Sequence, residues 1–349
     1  MPENNRQPDC PLPLGNYDRI VLAHGGGGRL MHQLIDSILL NAYGDSLLAD
    51  SPDSTAIEVE GTRLSVTTDS YVVRPLFFPG GDIGKLSVCG TVNDLAMSGA
   101  KPLYLTVGMI LEEGLELEEL REIAKSIGET AREDGVRIVA GDTKVVEKGH
   151  GHGIYINTAG IGIREHGQMI GPSKVEPGDA VILSGDIGRH GIAVMAAREK
   201  LPIEPPIISD CATLWKSVER LLNAGIEIHC MRDLTRGGLG AAVVEIANSS
   251  EVRVELVERN IAVSEAVRGA CEILGFDPLF VANEGRFVLF VPEKDVLRAI
   301  DALSEISPDI KPVKIGSVTN ESIGVTLQSL TGMERAVQMP SGEQLPRIC

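Results

Sequence analysis

Apolar and polar positions along the chain change period several times, and the changes mark its elements. Strands are predicted at Ala56–Val59, at Leu64–Thr68 with Asp69 delivered at its end, and at Leu103–Leu111, Val136–Ala140 and Ile154–Ile163. A short strand over Asp18–Ala23 runs into the glycine cluster His24–Gly28, and an amphipathic helix follows over Leu30–Leu40. Helical spacing recurs over Lys85–Met97 and Leu117–Glu133. Glu116, Glu118 and Glu119 sit around the first turn of the latter, where carboxylates suit the macrodipole. The second half repeats the mixture. It has strands at Ala180–Ser184 and Phe287–Val291, and helices at Gly191–Arg198, Leu214–Asn223, Gly238–Asn248 and Lys294–Leu303. Prolines, a glycine and charges over Pro172–Gly178 mark a domain boundary. After Val318 the pattern loosens, and from Pro340 no periodic apolar face remains, which reads as a mobile tail.

Composition narrows the class. A chain of 349 residues, 43% of them hydrophobic, suits two domains, and with 3% aromatics the core rests on Val, Ile, Leu and Ala. The net charge of −17 argues against a nucleic-acid or anionic-membrane partner. It allows a nucleotide, provided magnesium sits between carboxylates and phosphates. There is no apolar run of 18 residues, and Met1–Leu14 reads as a disordered leader rather than a signal peptide, so a cytoplasmic protein is expected. The six cysteines form no CxxC pair. Cys89, Cys211, Cys230 and Cys271 lie near apolar segments and read as small buried hydrophobes, whereas Cys349 closes the chain.

Candidate chemistry lies at the element ends. Asp53, Asp69, Asp94, Asp142 and Asp233 each follow or interrupt an apolar element, with Ser, Thr, Asn or Gly close by. Carboxylates so placed suit Mg²⁺, and they also serve as caps and turns; the sequence alone does not bring the five together. The His24–Gly28 cluster, between a strand and a helix, offers free N–H groups to phosphate but matches neither GxGxxG nor the Walker A pattern. Thr235, Gly237 and Gly238 form a second turn of that type. Lys144 and Glu284 are candidates for proton transfer, with ordinary ion pairing as the alternative. His150 and His152 read better as a glycine-flanked loop than as metal ligands. A thiol at Cys349, on a tether stiffened by Pro340 and Pro346, suits a swinging arm that delivers a covalently held group.

Several of these segments resemble one family. They are Thr67–Val73, Phe77–Leu86, Cys89–Ala100, Gly141–Val146, Arg232–Gly238, Ala282–Arg286 and the closing Pro346-Arg347-Ile348-Cys349. They look like HypE, the maturation family that makes the cyanide ligands of nickel–iron hydrogenase. The match runs from Asp18 to the last residue. The wider resemblance is to the superfamily of aminoimidazole ribonucleotide synthetase, selenophosphate synthetase and thiamine-monophosphate kinase. It implies an α+β fold of two domains: a leader at 1–17, an ATP-binding and dimerisation domain at 18–170, a C-terminal domain at 171–335 and a tail at 336–349. The N-terminal domain would pair with its copy to form a β-barrel. The resemblance implies ATP and Mg²⁺, with Asp69, Asp94, Asp142 and Asp233 as metal ligands. Nucleotide contacts would come from Gly25, Gly26, Gly27, Asp53, Asp69, Asp94, Asp142, Thr235, Gly237 and Gly238. Catalysis would rest on Cys349, Lys144 and Glu284. The implied partners are the carbamoyltransferase HypF and the iron scaffold HypC–HypD. The implied reaction dehydrates a carbamoyl group on Cys349 to a thiocyanate. A small-molecule kinase or synthetase of the superfamily, or a nucleotide-binding scaffold with a docking tail, would leave that thiol unreacted.

Overall fold

The computed structural model describes residues 53–306 and 311–340, with residues 20, 24, 28–35, 38 and 42. The leader, Gly25–Gly27, most of the expected strand at 18–23 and the segment 341–349 with Cys349 lie outside the described residues.

Among the described residues a short helix α1 (Arg29–Leu34) comes first, followed by two α+β units. The first is a five-stranded sheet of β1 (Thr55–Val59), β2 (Thr62–Tyr71), β5 (Lys101–Glu112), β6 (Arg137–Val146) and β7 (Ile154–Ile163), in the order β1-β2-β7-β5-β6. Between β2 and β5 come the hairpin β3 (Phe77–Phe78) and β4 (Gly81–Asp82) and the helix α2 (Ile83–Met97). Helix α3 (Leu117–Glu133) carries the chain from β5 to its parallel neighbour β6, as a parallel pair requires. The second unit contains β8 (Asp179–Leu183), α4 (Arg189–Glu199), α5 (Trp215–Asn223), β9 (Cys230–Asp233), α6 (Gly238–Ser249), β10 (Arg253–Val257), α7 (Glu265–Leu274), β11 (Phe287–Pro292), α8 (Val296–Ser304), β12 (Val313–Thr319), β13 (Gly324–Gln328) and β14 (Glu334–Val337). Its sheet runs β14-β13-β10-β12-β8-β11-β9.

Helix α2 joins the units. Thirteen of its fifteen residues are buried, so it has no solvent face and packs on both sides. It touches β2, β7 and α3 in the first unit and β9 and α5 in the second. Asp82 caps it, its Oδ1 accepting from the Gly84 and Lys85 amides at 2.7 and 3.2 Å. By contrast, α3 buries one stripe, Ile123, Ile127 and Ala131 at successive i,i+4 positions. Strand β11 is buried on both faces, with Phe287 and Phe290 inaccessible. Each such ring contributes about 1.5–3 kcal/mol by burial.

Three expectations need correcting. Asp142 does not end a strand: β6 continues through it to Val146. Asp69 lies within β2, which extends to Tyr71. Residues 336 and 337, expected in the tail, belong to β14; Val337 pairs with Val325 and is buried. The first sheet is open, with β1 and β6 at its edges, and no closed barrel forms among the described strands.

Candidate active site

Strand β2 and helix α2 present the first half of the site. Ser65, Thr67, Asp69 and Tyr71 alternate onto the face of β2 that α2 covers, as period-two geometry demands. The Thr67 hydroxyl donates toward Asp94 Oδ2 on α2 at 2.8 Å and toward the Asp53 carbonyl at 2.9 Å, one proton shared between two acceptors. Tyr71 contacts Thr91 one helical turn earlier, and burial pushes its phenol well above the ordinary range.

The second unit supplies the rest. Asp233 ends β9, and carboxylate oxygens of Asp53, Asp94 and Asp233 all lie within 4.8 Å of one another. Arg232 holds one corner, with Nε 2.7 Å from Asp53 and a second guanidinium nitrogen 2.8 Å from Glu245 of α6. Glu245 also meets His32 of α1 at 3.1 Å. Burial raises all three clustered carboxyls. Asp94 is pushed well up, first by burial and then by the charges of Asp233, Asp53 and Asp69. Asp53 moves the same way, with Arg232 opposing, and Asp233 is raised to about 6. Asp233 Oδ2 is buried with no hydrogen-bond partner among the described residues. Three converging carboxylates, one with an orphaned oxygen, are a donor set that fits a hard divalent cation. Asp69 stands beside them, its Oδ1 capping the Ser70 amide at 2.7 Å and facing Arg236 at 4.0 Å.

Glu284 lies in the loop before β11, and both flanks of that loop are pinned. Asn283 accepts from the Gly188 amide at 2.7 Å and donates to the Val281 and Leu234 carbonyls. Arg286 is bonded to Asp186 and to the Gly285 carbonyl. Asp210 accepts from the Gly285 amide at 3.2 Å. Gly285 is obligatory, since a Cβ there would stand 2.0 Å from the Asp210 carbonyl oxygen. Glu284 itself is 3% exposed, and its carboxyl is held well above the usual range, first by burial and then by the neighbouring Cys211, Asp233 and Asp210. Thr235, Gly237 and Gly238 form the turn into α6, with φ of 79° and 60° at the glycines, a left-handed path open to Gly.

Asp142 and Lys144 do not join this cluster. They pair with each other at 3.7 Å, both about three-quarters exposed. Across the sheet Asp142 aligns with Gly108, Asn157 and Ser70, whereas Asp69 aligns with Thr158 on the adjacent row. Adjacent rows point to opposite faces, and three strand spacings separate β2 from β6, about 14 Å. Asp142 therefore cannot share an ion with Asp94 and Asp233 in one subunit. Asp53, which the resemblance placed among the nucleotide contacts and not among the metal ligands, lies with Asp94 and Asp233. Thr67 and Arg232 escape sequence reading as individual contributors, because no periodic signal marks them. His150 and His152 stay on an exposed loop, which Glu112 organises by accepting from the Gly149 and Gly153 amides. Cys89, Cys211, Cys230 and Cys271 are buried and unbridged.

One contact locates the start of the closing segment. A Cβ on Gly28, at the head of α1, would stand 2.8 Å from the Pro340 carbonyl oxygen. The last described residue thus lies against the end of the His24–Gly28 cluster.

Comparison with known proteins agrees with this architecture. Residues 51–164 match the N-terminal domain of AIR synthase related proteins, and residues 176–328 match the C-terminal domain. The carbamoyl dehydratase HypE of Azotobacter vinelandii is 45% identical over 95% of this chain and 97% of its own. That of Escherichia coli is 43% identical over 95% and 100%. A HypE–HypF complex superposes with a TM-score of 0.83 at 44% identity, covering 88% of this chain and 99% of that one. HypE in complex with ATP gives 0.80 at 41%, covering 93% and 98%. Thiamine-monophosphate kinase from Aquifex aeolicus, at 19% identity and a TM-score of 0.65, shares the fold alone. Two AIR synthase related domains, matched from end to end by relatives at this identity, place the chain in the HypE family of carbamoyl dehydratases.

Proposed function

We propose that this chain uses ATP to dehydrate a carbamoyl group carried on its own Cys349, giving a thiocyanate that serves as cyanide donor to the iron of nickel–iron hydrogenase. The observation that carries the reading is the placement of two kinds of carboxyl at one interface, a cation-type trio at Asp53, Asp94 and Asp233 and a buried, high-pKa Glu284. A phosphoryl transfer needs the first and a nitrogen deprotonation the second. The Gly28–Pro340 contact adds that Pro340, nine residues before Cys349, lies at the head of α1, and nine residues fully extended reach about 30 Å.

HypF, the partner seen with a relative, places a carbamoyl group on the Cys349 sulfur. The carbamoyl oxygen attacks the γ-phosphorus of ATP and ADP departs. The nitrogen then gives up its two protons, the C–O bond breaks and phosphate leaves with the oxygen, so Cys349-S-C≡N remains. Glu284 accepts one proton; the departing phosphate takes the second, with Lys144 the candidate to relay it as an ammonium that gives one proton and regains another. Asp94, Asp233 and Asp53 would hold Mg²⁺, which supplies charge neutralisation at the transferring phosphoryl group. Asp69, Thr235, Gly237, Gly238 and the loop Gly25–Gly27 would complete the nucleotide site. The product would pass to iron on HypC–HypD, in the cytoplasm.

A homodimer explains why Asp142 and Lys144 stand apart. Ile110, Ile138, Val139 and Val145 are exposed around β5 and β6, and an open apolar sheet of this kind calls for a partner. Pairing the N-terminal sheets (domain 18–170) of two copies would close the barrel and enclose Lys144. The C-terminal domain, 171–335, would lie outside it. Val145→Asp should then convert a species of twice the chain mass into monomer in sedimentation and abolish thiocyanate formation. A monomeric wild-type protein with full activity would remove this part of the reading.

The central test is intact mass after incubation with the carbamoylating partner, carbamoyl phosphate and ATP. A carbamoyl adduct is expected on the C-terminal peptide, losing the mass of one water when ATP is present, and Cys349→Ser should carry neither. An adduct on another cysteine, or undiminished turnover of a diffusible substrate by Cys349→Ser, would overturn the proposal.

A further inference from the structure

One buried polar side chain touches both halves of the molecule and is so far unassigned. Asn93 lies on α2 next to Asp94 and is 1% exposed. Its Nδ2 donates to the Ala212 carbonyl at 3.1 Å and stands 3.5 Å from the Glu284 carbonyl. Its Oδ1 accepts from the Leu214 amide at 2.8 Å. The Ala212 amide donates to the same Glu284 carbonyl at 3.1 Å. Backbone groups of three different residues in the second unit therefore close on one carboxamide. Only a side chain with donor and acceptor on one plane can serve them all, so Asp, Ser and Ala each lose part of the set.

The helix makes this arrangement consequential. Successive α-helical residues project about 100° apart, so Asn93 and Asp94 leave α2 toward different parts of the site. Asp94 joins the carboxylate trio, and Asn93 grips the peptide that carries Glu284. Buried on all sides, α2 is a rigid support that fixes the two side chains relative to each other. We propose that Asn93 is a positioning residue of the dehydration, holding the Glu284 backbone in register with Asp94. Phosphate departure at one end and proton acceptance at the other then act on the same bound thiocarboxamide. This rests on the function proposed above.

The test uses full-length protein already carbamoylated at Cys349. Single turnovers at saturating ATP are read by mass for thiocyanate and by chromatography for ADP. For Asn93→Ala we expect the rate of thiocyanate formation to fall about 100-fold, the scale of an ångström-size misplacement. The KM for ATP should stay within about threefold, because the trio is untouched. During the turnover ADP should run ahead of thiocyanate, because phosphorylation proceeds while proton removal lags. A purely structural role would lower the ATP-binding fraction and both products together, leaving the two in step, and that result would overturn the proposal. Should Asn93→Ala fail to fold, Asn93→Gln displaces the same groups on a longer arm and is expected to show the same split. If the wild-type protein forms no thiocyanate, the underlying function is wrong; if both variants match wild type, only the role of Asn93 is.

Discussion

Replacing Glu284 by glutamine should leave the Cys349 carbamoyl adduct intact and slow its conversion to thiocyanate by about 10³-fold, within the range of a lost general base. The isostere keeps the loop, because the hydrogen bonds that pin it run through Asn283, Gly285 and Arg286 rather than through the Glu284 carboxyl. The pH dependence separates this role from a structural one. Burial holds the Glu284 carboxyl above its ordinary range, and only the ionised form accepts a proton. The wild-type rate should therefore rise with pH along a limb displaced above the usual carboxylate region, and the variant should lack that limb. Stability moves in the opposite sense. A group whose folded pKa is raised binds its proton more tightly in the native state, so its contribution is full below the unfolded pKa and is lost as pH climbs through the folded one. Glu284→Gln should accordingly melt higher than wild type at pH 8, and the two should converge toward pH 4. A variant that is slower and also less stable at pH 8 would show that Glu284 is a structural carboxyl.

Asp94→Asn should lower Mg²⁺-dependent ATP turnover by at least ~100-fold through lost charge neutralisation. Its thermal behaviour gives an independent reading. Asp94 is raised by burial and by Asp233, Asp53 and Asp69, so neutralising it relieves repulsion in the ion-free protein. Without Mg²⁺ the variant should melt above wild type at neutral pH. With Mg²⁺ and a non-hydrolysable ATP analogue, wild type should gain stability by mass action and the variant should gain little. Equal gains in both would place the cation elsewhere.

These residues also show what the sequence could and could not reveal. Helix α3 was legible to its ends because its burial is one-sided, so apolar spacing and helical period coincide. Strand β6 was cut short at Ala140 because Gly141-Asp142-Thr143-Lys144 is polar. An open edge strand tolerates polar residues on both faces, and hydrophobic pattern reports burial rather than extended backbone. The short strands β9, β10, β12, β13 and β14 carry four to seven residues each, too few for a period to stand out. At the site the acidic residues could be named singly. Their grouping depends on α2 being wedged between two sheets, which no local pattern encodes. Asp142 drew attention through its flanking residues, yet strand register sends it to the opposite face from Asp69. Asn93 escaped notice because an asparagine inside an apolar helix acquires meaning only from the peptides opposite it.

The meeting of Gly28 and Pro340 bears on how tightly this site needs to hold its substrate. With its base fixed there, a nine-residue tether keeps the Cys349 thiol within about 30 Å, which corresponds to an effective concentration on the order of 10 mM. A docking affinity in the millimolar range would then suffice to fill the site. Such weak docking would also let the tail leave again, as the proposed loading of the thiol by one partner and its unloading by another require. Turnover within the loaded protein should be first order and independent of protein concentration wherever the proposed dimer is fully formed.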